Sequence, residues 1–216
     1  MGHGRRAAGD GQRATGNGAP VASRATHSGG QPISVPDRLA YLRMTLVPVI
    51  LGLILARDSV DHAFGIAAAL IAVASITDFL DGYLARRWKI TTTLGGFLDS
   101  IADKLLVAGA LFGLVAVDRA WAWAAFIIIG REIAISGLRG VAAMDGMVVP
   151  PSIWGKIKAN VQFLVIFMAL LRVPETYGGL HPDQWAMVVA VAVTVMSGFD
   201  YFSRFARILR SSRVRA

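Results

Sequence analysis

Four aspartates, Asp78, Asp81, Asp99 and Asp103, interrupt two otherwise apolar stretches in the run TDFLDGYLARRWKITTTLGGFLDSIADK. One acidic side chain at mid-bilayer costs roughly 2.5 to 3.5 kcal/mol on insertion scales, so four of them need cations or a charged substrate to compensate them. Within each pair the spacing is i,i+3 or i,i+4, which puts both carboxylates on one helix face. Oxygen donors at this density, with no cysteine in the chain and no histidine nearby, suit a hard divalent cation, Mg²⁺ or Mn²⁺, rather than zinc.

The elements that carry these residues follow from their flanks. From Phe64 to Thr77 the chain is apolar and rises about 21 Å as a helix before Asp78, against a hydrocarbon core of about 30 Å. Read backwards from the polar pair Asp118 and Arg119, Val117 to Leu105 covers about 20 Å before Asp103 is reached. Both acidic pairs therefore sit toward the same membrane face. Two antiparallel helices joined by a short polar loop are expected to pack together and converge the four carboxylates.

The whole chain fits that setting: of 216 residues 55% are hydrophobic, the mean hydropathy is +0.55 and the formal net charge is +8. The expected fold is all-α, a polytopic membrane bundle of six transmembrane helices at about 39–56, 62–85, 97–117, 121–138, 158–172 and 184–203. Residues 1–33 are rich in Gly, Ala, Arg and Ser without an apolar core, so they read as a disordered cytoplasmic tail rather than a cleavable signal. The catalytic domain is expected at 34–205 and a basic cytoplasmic tail at 206–216.

Basic residues collect in the N-terminal tail, in the second loop (Arg86, Arg87, Lys89), in the fourth loop (Arg139, Lys156, Lys158) and in the C-terminal tail. The alternate loops hold Arg57, Arg119 and Arg172, each close to acidic residues. By the positive-inside rule both termini and the aspartate site face the cytoplasm, in an inner or plasma membrane. The basic tails read as topology signals and as attraction to anionic membrane lipid, not as a nucleic-acid surface.

Taken as a pattern, the acidic region is Asp78-x-x-Asp81-Gly82-x-x-Ala85-Arg86, eight residues, then Gly95-x-x-x-Asp99-x-x-x-Asp103. This resembles, position for position, the signature of the CDP-alcohol phosphatidyltransferases. The small side chains of Gly82 and Ala85 leave room for a bulky ligand beside the first carboxylates. Arg86, one turn on, offers a planar fork to phosphate oxygens. Gly95 opens the next helix after a run of threonines, and the resemblance implies that this loop contacts the cytidine side of the donor, with Thr92 as the best-placed hydroxyl; helix capping explains the threonines equally well.

The resemblance further implies the reaction. A CDP-linked lipid, CDP-diacylglycerol, gives its phosphatidyl group to an alcohol and CMP leaves, with Asp103 as the base that takes the acceptor's proton. Two ions held by Asp78, Asp81, Asp99 and Asp103 would neutralise the pyrophosphate. A homodimer is the family's expectation.

Further segments are similar to those of bacterial phosphatidylglycerophosphate synthases: Val35-Pro36-Asp37-Arg38-Leu39 with Arg43, Gly130-Arg131-Glu132-Ile133 with Ile135-Ser136-Gly137-Leu138-Arg139, and Gly155-Lys156-Ile157-Lys158 followed by Gln162. Asp37 and Arg43 thereby join the donor-binding candidates. Arg131, Arg139, Lys156 and Lys158 form a cationic set of the kind a phosphorylated acceptor, sn-glycerol 3-phosphate, requires and choline or serine would not. Glu132 is expected to orient Arg131. The chain has Asp37, Ala40 and Ala159 where the family commonly has Asn, Thr and Thr, and no role is carried onto Ala40 or Ala159.

Competing readings change the acceptor to inositol phosphate or phosphatidylglycerol, or replace catalysis by a cation channel, which would need carboxylates reachable from both faces. A purely structural reading pairs the aspartates with Arg86, Arg87 and Lys104. Elsewhere Gly109-x-x-x-Gly113 reads as a helix-packing face, with a dimer seam as the alternative. Asp200 is expected to pair with Arg204.

Overall fold

A computed structural model describes residues 35–88, 93–144 and 153–213, with side chains described over 39–77, 96–144, 155 and 157–207. The expected tail at 1–33 and Thr92 lie outside the described residues. So do the side chains of Asp37, Asp78, Asp81, Gly82, Ala85, Arg86, Gly95 and Lys156.

Among the described residues the fold is all-helical: α1 (Val35–Leu55), α2 (Ala63–Trp88), α3 (Thr93–Ala116), α4 (Ala122–Met144), α5 (Ile153–Leu170) and α6 (Pro182–Arg213). Their order matches the six expected spans, but the ends differ in an instructive way. Charged residues that end an apolar window do not end a helix, because the backbone ladder continues regardless of side-chain polarity. Arg139 is therefore inside α4, and Lys156 and Lys158 are inside α5, not in a loop. Arg43 stands within α1. α6 runs unbroken to Arg213, so the helix continues into the residues expected to form the C-terminal tail.

Among the described residues one stretch, Pro182–Arg207, is long and apolar enough to cross a membrane by itself. Leu39–Leu55, Ala63–Thr77 and Ile157–Leu170 are apolar but shorter. Charges interrupt the other two helices: Asp99, Asp103 and Lys104 in α3, and Arg131, Glu132 and Arg139 in α4.

Packing is organised around α1 and α3. A Cβ on Gly109 would lie 2.5 Å from Val47 Cγ1, and one on Gly113 would lie 3.1 Å from Ile54, so the two glycines let α1 approach the α3 backbone. This is the packing face expected from the Gly-x-x-x-Gly spacing, used within one chain. The dimer-seam alternative fails, because α1 of the same chain covers both glycines. Ile50, Ile54, Leu106, Ala110, Leu111 and Leu114 are almost completely buried around them. α1 packs against both α2 and α3, and those two make no substantial direct contact among the described residues.

The end of the bundle where α3 runs into α4 is fastened by arginines. Arg119 donates to the carbonyls of Ala169 (3.0 Å) and Leu170 (2.7 Å), the last residues of α5, whose carbonyls have no intrahelical partner. Its guanidinium also lies 3.6 Å from the centre of the Phe64 ring at the start of α2. Arg172 donates to the Arg119 carbonyl (3.0 Å) and pairs with the buried carboxylate of Asp183 (2.8 Å) at the start of α6. Three helix-to-helix turns thus meet at one polar knot. Asp200 pairs with Arg204 at 3.0 Å, as its spacing predicts.

Candidate active site

The opposite end carries the acidic motif. Approaching it, α2 hides its hydroxyls: Ser75 bonds back to the Ile71 carbonyl (2.8 Å), and Thr77 to those of Val73 (3.0 Å) and Ala74 (2.9 Å). Such back-bonding satisfies a polar group inside an apolar helix. Asp78 and Asp81 follow on the same helix.

On α3 the two aspartates, four residues apart, meet different neighbours. Asp99 accepts a hydrogen bond from Arg43 of α1 at 2.7 Å; the arginine side chain is 2% exposed and the carboxylate 50%. Asp103 lies on the wall of a cavity of about 280 Å³ formed by α3, α4, α5 and α6. Lys104 gives its ammonium to the Ser100 carbonyl (2.7 Å) and hydroxyl (2.6 Å). The arginine found beside Asp99 is one that the motif does not contain.

Opposite Asp103 the cavity wall is cationic, carrying Arg131 and Arg139 from α4 and Lys158 from α5. Glu132 holds two of these in place: its Oε1 accepts from Arg131 at 3.0 Å and also from the Lys158 ammonium. The expected orienting role of Glu132 thus extends to a second helix. Arg131 has a further fixed contact, donating to the Ser197 hydroxyl of α6 at 2.7 Å. A Cβ on Gly198 would come within 3.5 Å of the Arg131 stem, so the absence of a side chain there makes room for it. Lys158 is buried, as is Gln162 one turn along α5, which donates to Thr194 at 3.4 Å.

Sequence reasoning passed over α6. Thr194, Ser197 and Tyr201 recur at i, i+3 and i+7, all buried, and form one polar face in the second half of the helix. That spacing was the available signal. A small apolar cluster of Ile135, Ala142, Tyr201 and Phe205 underlies the cavity.

Divalent ions fit the donor chemistry of this end, which offers carboxylates and no imidazole or thiolate. Among the described side chains no three acidic or imidazole groups converge. Asp78 and Asp81, which would complete such a group with Asp99 and Asp103, are not among those side chains.

The chain has counterparts among known sequences. Residues 33–196 match the family model described as CDP-alcohol phosphatidyltransferase. The chain belongs to the CDP-alcohol phosphatidyltransferase family. It is 38% identical over 190 residues to a CDP-diacylglycerol–glycerol-3-phosphate 3-phosphatidyltransferase of Bacillus subtilis, covering 83% of this chain and 98% of the relative. It is 33% identical over 172 residues to a protein of the same name from Rickettsia typhi, covering 78% and 95%. With a probable phosphatidylglycerophosphate synthase of Mycobacterium tuberculosis the identity is 37% over 181 residues, covering 82% and 84%. The matched region takes in the acidic motif, the Glu132 clamp and the α5 cations, and extends along α6 as far as Met196.

Proposed function

We propose that this chain transfers the phosphatidyl group of CDP-diacylglycerol to sn-glycerol 3-phosphate, giving phosphatidylglycerol phosphate and CMP. The names of its relatives support the reaction. The observation that carries the acceptor is the cavity whose walls set Asp103 opposite Arg131, Arg139 and Lys158. A dianionic phosphate suits three cations of which Glu132 neutralises one, whereas a neutral alcohol leaves them uncompensated.

In this reading Asp103 accepts the proton of the acceptor hydroxyl as its oxygen attacks the lipid-side phosphorus, and CMP departs with the bond electrons. Arg131, Arg139, Lys156 and Lys158 hold the acceptor phosphate. Asp37, Arg43, Gly82, Ala85, Arg86, Thr92 and Gly95 are the donor-binding set. Asp78, Asp81, Asp99 and Asp103 hold two ions, Mg²⁺ or Mn²⁺, which when bound screen the pyrophosphate and ease charge build-up on the leaving CMP. Arg43 keeps the Asp99 carboxylate in one orientation.

The proposal extends to setting and assembly. All six helices span an inner or plasma membrane, charges in α3 and α4 being tolerated because they line the cavity or, as Asp99 does with Arg43, find a partner on another helix. The positive-inside distribution turns the acidic end to the cytoplasm, where water-soluble acceptor and CMP exchange. Residues 34–205 form the catalytic unit of a homodimer, with cytoplasmic segments on either side.

The test is CMP release by purified protein supplied with CDP-diacylglycerol, Mg²⁺ and a panel of acceptors. Glycerol 3-phosphate should be used far better than glycerol, serine, inositol phosphate or phosphatidylglycerol. Preference for any of the others would replace the acceptor named here, and no CMP release with any of them would remove the reaction.

A further inference from the structure

Of the three polar residues on the buried face of α6, two are already engaged within the protein. Thr194 accepts from Gln162 and Ser197 accepts from Arg131. The third, Tyr201, is 5% exposed and lines the cavity, yet its hydroxyl has no hydrogen-bond partner among the described residues. Buried hydroxyls are rarely left so, because the lost hydration is not recovered.

The identity of the missing partner follows from what surrounds the hydroxyl. Arg131, Arg139 and Lys158 on the same cavity wall are donors only and cannot receive the phenolic proton. None of the side chains with acceptor oxygens that line the cavity with it, Asp103, Glu132 and Gln162, accepts from the hydroxyl. A partner must therefore bring acceptor oxygens into a cationic space. A phosphate carries acceptors and a charge of the required sign.

We propose that the Tyr201 hydroxyl donates a hydrogen bond to the phosphate of the acceptor substrate, making Tyr201 a specificity-determining residue contributed by α6. This rests on the reading that the acceptor is phosphorylated. The ring is fixed by its surroundings, since it stacks on Phe205, with centroids 6.5 Å apart and planes 13° from parallel, and packs in the cluster with Ile135 and Ala142. The hydroxyl is thus presented without the ordering cost that a mobile side chain would incur on binding. A neutral donor also adds a bond to phosphate without adding a further repelling cation to the wall.

The experiment compares wild type with Tyr201→Phe, which keeps the ring and its packing. The KM for glycerol 3-phosphate should rise about tenfold or more, as loss of a hydrogen bond to a charged group predicts. The KM for CDP-diacylglycerol and the melting temperature should hold. An unchanged acceptor KM overturns the proposal, and so does an equal rise in both KM values, which marks a structural role. Should Tyr201→Phe not fold, 3-fluorotyrosine at position 201 gives the same decision: its fluorine resonance must shift with saturating glycerol 3-phosphate and not with CDP-diacylglycerol alone. If wild type uses a different phosphorylated acceptor, the function proposed above falls while the Tyr201 claim is tested unchanged on that acceptor. If it uses only unphosphorylated alcohols, both fall.

Discussion

Arg43 on α1 and Asp99 on α3 stand 56 positions apart in sequence and 2.7 Å apart in space, the guanidinium buried and the carboxylate half open. A motif aspartate is thereby oriented by a helix outside the motif. Partners that orient a ligating carboxylate typically contribute about 10- to 100-fold to metal affinity or activity, so Arg43→Gln should lower kcat for CMP release by roughly that factor. A Mg²⁺ titration checks it: activity within about twofold of wild type at every concentration would show that Asp99 needs no such support.

Asp103→Asn should abolish turnover while leaving CDP-diacylglycerol binding largely intact, since an amide fills the same space but cannot take the acceptor proton. Asp99→Ala should instead weaken Mg²⁺-dependent nucleotide binding. Equilibrium binding and single-turnover assays on the two variants separate these roles. A kcat within about tenfold of wild type for Asp103→Asn would remove it from the position of base.

Arg139→Ala should raise the KM for glycerol 3-phosphate about tenfold or more, because a charge-assisted hydrogen bond contributes roughly 1.5 to 3 kcal/mol. The KM for CDP-diacylglycerol should barely move. Unphosphorylated glycerol, already a poor acceptor, should lose little further; equal losses for both acceptors would make Arg139 structural.

Gly109→Ala should destabilise the solubilised protein by about 1 to 3 kcal/mol, the usual cost of overpacking, since the added methyl meets Val47 Cγ1. Val47→Ala in the same chain should restore much of the loss. Thermal unfolding of the two single variants and the double variant gives the coupling, and additive effects would contradict the contact.

The number of helices and the acidic motif were legible because apolar length and carboxylate spacing are local properties of the chain. Helix ends were less so: hydropathy stops at Arg139 and Lys158, whereas backbone hydrogen bonding carries α4 to Met144 and starts α5 at Ile153. Which helices touch was not legible. Nothing in the sequence says that α1 rather than α2 lies along α3, although Gly109 and Gly113 announced that some helix would. The cations of the cavity were recognisable one by one, and Arg131 and Glu132 are chain neighbours. The joining of Lys158 to Glu132 spans 26 positions and depends on how α4 and α5 dock. Tyr201 escaped notice because a lone tyrosine in an apolar helix looks like core until its hydroxyl is found without a partner.

The knot at the far end bears on the order in which the protein can be completed during synthesis. Arg119, in the turn after α3, donates to carbonyls 50 and 51 positions later, and the carbonyl of Arg119 itself waits for Arg172. While only four helices have been made, this turn has the Phe64 ring beside it and none of its later oxygen partners. Emergence of α5 supplies two carbonyls, and Arg172 with Asp183 then closes the junction as α6 begins. A nascent chain halted before α5 therefore carries at this turn a guanidinium whose carbonyl partners have not yet been made.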